Sequence, residues 1–111
     1  MNMTRYAVAI LIALTMPARA QESANEMLPG CKMFLARSPR SLSDAEASGW
    51  CGGFVYGLFF AGEGTCPPER AKVSQALTVV IRYIEARPER MHEHFGGLAI
   101  EALTAAWPCK R

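Results

Sequence analysis

Four cysteines, Cys31, Cys51, Cys66 and Cys109, constrain this 111-residue chain more than any other feature. Their weight comes from what precedes them. Residues 1–6 carry one cation, Arg5, and no acid; residues 7–16 are apolar apart from Thr15; and Ala18 and Ala20 place small side chains at the third and first positions before Gln21. A cation, an apolar run and a small-residue cleavage site in that order make a signal peptide over residues 1–20. Ten helical residues reach about 15 Å, half of a hydrocarbon core, so a membrane anchor is the poorer reading and no membrane insertion is expected after cleavage. The domain is then residues 21–111, in the periplasm or secreted, where an even number of cysteines forms disulfides.

Three pairings of four cysteines are open. Cys31 and Cys51 each lie ten residues from Ser41, in a turn-like stretch that includes Pro39, so an antiparallel helix pair folded there sets them level. That spacing favours Cys31–Cys51 and leaves Cys66–Cys109. On the chain-entropy account the two loops contribute about 3 and about 4 kcal/mol, a large share of the roughly 5–15 kcal/mol that holds a domain together. Zinc is the rival use of four thiolates, but no two cysteines have the close spacing of a structural zinc site. No metal or other cofactor is expected.

Half of the residues are hydrophobic and a fifth are charged, a balance that excludes a disordered or collagen-like chain. Beyond Gln21 ten Lys/Arg face ten Asp/Glu, so nothing in the bulk charge calls for nucleic acid or anionic lipid.

Apolar residues recur at helix spacing throughout, with no alternating stretch, and the fold class is all-α: a small disulfide-bonded bundle of four helices, or five if Pro29 divides the first. The first helix is expected over residues 24–37, ending before Pro39. Ser43 and Glu46 fit a capping box for the second, and from residue 47 to 61 nearly every position is apolar or small, predicting a central helix buried on most sides. Gly49, Gly53 and Gly57 fall on one face of it. Glycine costs about 1 kcal/mol per helical site relative to alanine, so the expectation is close packing of another helix there. The third helix is expected over residues 68–86, with Val73, Leu77, Val80, Ile81 and Ile84 inward, and the fourth over 89–106, with Phe95, Leu98, Ala99, Ala102 and Leu103 inward and a bend or crossing at Gly96-Gly97.

Chemistry is hard to find. Asp44, the one aspartate, is accounted for by the helix start, and His92 and His94, two apart on the expected helix, point away from each other. Oxidised cysteines are not nucleophiles. No phosphate-binding or zinc-protease string occurs, and the glycine-rich run at residues 49–62 lacks the preceding strand that a phosphate cradle needs. An enzyme is not expected. The densest polar stretch, residues 85–94, reads either as a solvated hinge or as a partner contact with Arg87, Arg90 and His92 as hydrogen-bonding anchors and Met91 as an adaptable apolar contact.

The ordered set Cys31, WCGGFVYG at 50–57, CPPERAKVSQALTVVIRYIEARPE at 66–89 and EALTAAWPC at 101–109 resembles the Rap/Tai family of immunity proteins associated with type VI secretion. The resemblance spans nearly all of the exported part. It implies a small, helical, disulfide-containing periplasmic protein, often a homodimer, that binds and occludes a peptidoglycan amidase effector without catalysis of its own. Where a polar residue is expected near position 60 this chain has Phe59 and Phe60. The alternative of another class is an HdeA-like periplasmic acid-stress chaperone, in which charging of His92 and His94 in mild acid loosens the hinge; a structural accessory subunit of the cell envelope is a third.

Overall fold

The computed structural model describes residues 2–4, 6–7 and 22–110. Most of the apolar run and the cleavage site expected after Ala20 lie outside the described residues. Four α-helices follow, α1 (Ala24–Ala36), α2 (Leu42–Ala61), α3 (Val73–Glu85) and α4 (Phe95–Ala106), with a short 3₁₀ turn at Pro88–Arg90. Among the described residues there is no strand, only two isolated bridges.

Helix α1 begins with a capping box that its sequence spells out. The Ser23 amide donates to Glu26 Oε2 at 2.8 Å and the Glu26 amide donates to Ser23 Oγ at 3.4 Å, satisfying two backbone donors that a helix start otherwise leaves open. The helix then runs through Pro29 as one element. Pro29 is exposed, so the carbonyl it leaves without an amide partner lies on the side where water is available. Its neighbour Gly30 is buried against α2, where an added Cβ would sit 2.5 Å from the Ala47 carbonyl oxygen. Arg37 closes the helix in the left-handed region at φ 50°, and the Ser38 amide donates back to the Met33 carbonyl at 3.2 Å.

Helix α2 is capped two residues earlier than expected. Ser41, not Ser43, accepts from the Asp44 amide at 3.1 Å, while Asp44 Oδ2 accepts from the Arg40 amide at 3.2 Å. The sequence offers the same Ser-x-x-acid spacing at 41–44 and 43–46, and the helix uses the earlier one, adding a further turn fraction of hydrogen bonds. Only Ser48, Cys51, Gly52 and Val55 of this helix are buried. The expectation of burial on most sides is wrong, and with it the role given to the glycines. A Cβ built on Gly49, Gly53 or Gly57 meets nothing within 4 Å, and all three are exposed. The close approach is made by Gly52, where a Cβ would overlap the Phe34 ring, and by Gly30 opposite. Cys31 and Cys51, both fully buried, are bonded across this same α1–α2 contact with Cα atoms 5.2 Å apart.

The stretch before α3 is a turn, with the Ala71 amide donating to the Pro68 carbonyl, and α3 begins only at Val73. Lys72, extended at φ −104° and ψ 153°, caps the helix, its amide donating to Gln75 Oε1 at 2.7 Å, so Val73 is the first helical residue. Ala76, Leu77, Val80, Ile81 and Ile84 are buried; Val73 is only partly so. The expected fourth helix is likewise shorter. Pro88–Arg90 is 3₁₀, and α4 starts at Phe95 with His94 as its cap, Nδ1 accepting from the Gly97 amide at 3.4 Å. Gly96-Gly97 is therefore the first turn of α4, not a bend in its middle. Its inner face, Phe95, Leu98, Ala99, Ala102 and Leu103, packs on α3. Burying side chains of this size contributes roughly 1.5–3 kcal/mol each. The chain end is tied to the α2–α3 corner: the Cys66 amide donates to the Trp107 carbonyl at 2.8 Å, Thr65 Oγ1 to the Leu103 carbonyl at 3.2 Å, and Cys66 is bonded to Cys109.

Candidate interaction surfaces

The hinge is a docked structure. Helix α1 presents unpaired amides at its N-terminus, and the hinge carbonyls take them: Ala24 donates to Glu93 at 3.0 Å and Asn25 to Met91 at 2.9 Å, while Phe95 donates to Glu22 at 3.0 Å. Arg90 then clamps the hinge to α4. Its Nε and Nη2 donate to Glu93 at 2.6 and 2.9 Å, and its Nη1 and Nη2 donate to Glu101 at 2.8 and 3.0 Å. Tyr83 Oη adds a hydrogen bond to Glu101 at 3.0 Å. Hydrogen bonds from Arg90 hold both carboxyls below the usual carboxylate range, with Tyr83 adding to the effect at Glu101, and the same bonds hold the guanidinium still more firmly charged.

Of the four hinge residues singled out from sequence, Arg87 and Arg90 are therefore engaged internally. Arg87 lies 3.7 Å over the Tyr83 ring and donates from Nη1 to the Tyr83 carbonyl at 2.9 Å. Met91 packs against the core, and His92 is exposed. What the hinge offers to a partner is a stiff edge carrying Glu89 and His92, not a set of free arginines. His92 lies in a turn and His94 caps α4, so the two do not stand at helix spacing.

Beside that edge lies a cleft of about 480 Å³ between the start of α1 and α2, lined by Glu22, Glu26, Met27, Ser43, Glu46, Ala47 and Trp50. Three carboxylates and an indole face one space, and no lysine or arginine is among the lining residues. Sequence reading missed it because the residues come from segments twenty positions apart. Among the described residues no group of three or more His, Cys, Asp or Glu is placed to hold a metal ion, and no helix is long and apolar enough to cross a membrane.

The third surface is the outer side of α2. Trp50, Tyr56 and Phe60 are 44%, 55% and 66% exposed, and Gly49, Gly53 and Gly57 lie among them. From Gly49 to Ala61 no residue of α2 carries a charge. Soluble surfaces seldom leave such a stretch uncovered. The rings are held by their own neighbours: Trp50 stacks on Phe54 with centroids 5.4 Å apart, and Tyr56 lies 4.7 Å from Phe60.

Comparison with known families turns this helical, doubly disulfide-bonded arrangement into an assignment. The model of the Rap1a immunity proteins matches residues 19–109, which takes in both disulfides, the hinge and the aromatic face. The chain belongs to the Rap1a immunity protein family. Comparisons with curated proteins and with solved structures gave no match. As a Rap1a family member it is an immunity-type protein, a class that acts by binding a protein effector.

Proposed function

We propose that this Rap1a-family protein is a periplasmic inhibitor that binds a peptidoglycan amidase delivered by type VI secretion and covers its catalytic cleft, with no turnover of its own. The family match over residues 19–109 carries the reading. Export by the expected signal peptide accords with two disulfides, which persist in oxidising compartments. The contact is the docked hinge with its exposed Glu89 and His92, together with the neighbouring acidic cleft. A surface clamped by Arg90 and backed by a disulfide-pinned helix pair loses little conformational freedom on binding, which favours affinity. The inhibitor works as a homodimer, so each assembly carries two such ends.

The test is a titration of cell-wall hydrolysis by a type VI peptidoglycan amidase effector with this protein. Inhibition should be complete at stoichiometric equivalence and should leave the amidase unmodified when the complex is dissociated. Undiminished hydrolysis in excess inhibitor would contradict the reading. Within the contact, Glu89→Lys should weaken inhibition without shifting the melting temperature, because that side chain has no internal partner among the hydrogen bonds and ion pairs of the described residues. Arg90→Glu is the wrong probe: it would dismantle the hinge itself.

A further inference from the structure

We propose that the Cys66–Cys109 bond is a site of thiol–disulfide exchange on the folded protein: an external dithiol opens it, and the bond can be reclosed, while Cys31–Cys51 stays oxidised throughout. This goes beyond the inhibitor reading and does not depend on it.

The two bonds sit in opposite surroundings. Cys31 and Cys51 are both 0% exposed and belong to the core, between two helices in close contact at Gly30 and Gly52. A thiolate reaches those sulfurs only after α1 has parted from α2. Cys66 and Cys109 are both exposed, and neither belongs to a helix. Pro67, Pro68 and Pro108 adjoin them, so breaking this bond unravels no helical turn. Access of a thiolate to sulfur is what separates a bond that exchanges from one that is inert.

Opening also leaves the two ends where reclosure can find them. The Cys66 amide donates to the Trp107 carbonyl at 2.8 Å and Thr65 Oγ1 donates to the Leu103 carbonyl at 3.2 Å. The Trp107 ring stands edge-on to Phe59 with centroids 6.2 Å apart. None of these contacts needs the sulfurs bonded, and together they hold the corner before α3 against the end of α4. The two thiols of the opened form therefore face each other at high effective concentration. The hinge is not disturbed, because it meets α4 at the other end, twelve residues or about 18 Å away.

The dithiol balances the chemistry. One of its thiolates attacks Cys66 Sγ, the bond to Cys109 Sγ breaks, and Cys109 leaves as a thiolate that takes a proton from water. Lys110 adjoins Cys109 and stabilises that leaving thiolate, whereas Thr65 and Pro67 beside Cys66 carry no charge. The second thiol of the dithiol then displaces Cys66. Two electrons have passed to the protein, which holds two thiols, and the dithiol has become a disulfide. An external disulfide drives the reverse steps.

Dithiothreitol acting on the natively folded protein without its signal peptide, followed by alkylation and peptide mass mapping, tests this. Cys66 and Cys109 should be alkylated at an initial rate at least about 100-fold that of Cys31 and Cys51, because the buried pair waits for rarely opened molecules. The helical spectrum should persist, and glutathione disulfide should reclose the bond at a rate independent of protein concentration. In denaturing urea the two pairs should be reduced at comparable rates, which ties the contrast to the fold. With glutathione in place of the dithiol, the mixed disulfide should form on Cys66. Equal native rates, earlier reduction of Cys31–Cys51, or resistance of both bonds would overturn the proposal. Loss of the helical spectrum on opening Cys66–Cys109 would also overturn it, since that bond would then be a structural staple alone. An adduct on Cys109 would overturn the direction of attack.

Discussion

Helices α2 and α3 both turn one face to the core and treat their outer faces in opposite ways. In α3 the inward stripe of Ala76, Leu77, Val80, Ile81 and Ile84 is matched outside by Ser74, Gln75, Arg82 and Glu85, which leave the helix comfortable in water. Glu85 also pairs with Lys32 of α1. In α2 the buried Ser48, Cys51, Gly52 and Val55 are matched outside by Gly49, Gly53, Tyr56, Gly57 and Phe60. A helix needs one apolar side to join a core; a second apolar side stabilises nothing within the monomer and prepares it for a partner.

Substitutions can break or sharpen this contrast, and the inner faces come first. Leu77→Ala should lower stability by about 2–5 kcal/mol in denaturant unfolding, because Leu77 is fully buried and its cavity cannot refill. A loss under 1 kcal/mol would mean that α3 is not packed as described. Gly52→Ala should cost about 1–3 kcal/mol, since the new methyl displaces the Phe34 ring. One position further along, the sign reverses. Gly53→Ala, measured at concentrations low enough for monomer, should raise stability by roughly 0.5–1 kcal/mol, because it removes the helical cost of glycine and meets nothing. Equal effects at the two adjacent glycines would erase the distinction between the faces.

The smallest expected effect is acid loosening of the hinge. Glu93 and Glu101 are depressed by Arg90, so their contribution is present above the ordinary carboxylate range and is lost as pH falls through their lowered values. Arg87 and His92 also bear on these carboxyls, and both repel further protonation. Amide exchange of residues 88–94 should therefore stay slow in mildly acidic buffer and quicken only well below it, and Arg90→Gln should abolish that pH dependence. Opening near neutral pH would instead favour the histidine-driven chaperone mechanism.

Much of this fold is legible in the sequence because periodicity and turn chemistry are local. The α3 and α4 stripes are buried nearly as spaced. Helix ends differ from the spacing where two codes compete: Ser41 against Ser43 as cap, and residues 68–72 and 89–94, which carry helix-forming residues but yield the start to the extended caps Lys72 and His94. The glycine stripe shows the deeper limit. Spacing placed Gly49, Gly53 and Gly57 on one face, but only the packed chain reveals that Gly52 turns inward to Phe34 while that face is left open. The acidic cleft and the Arg90 clamp bring together residues far apart in sequence, for which spacing carries no signal.

The most direct test of the contrast is hydrogen–deuterium exchange of the wild-type protein at low and high concentration. Protection over residues 49–61 of α2 should rise with concentration while that of α3, residues 73–85, stays constant. Concentration-independent exchange in both helices would contradict the claim that the outer side of α2 is built to be covered.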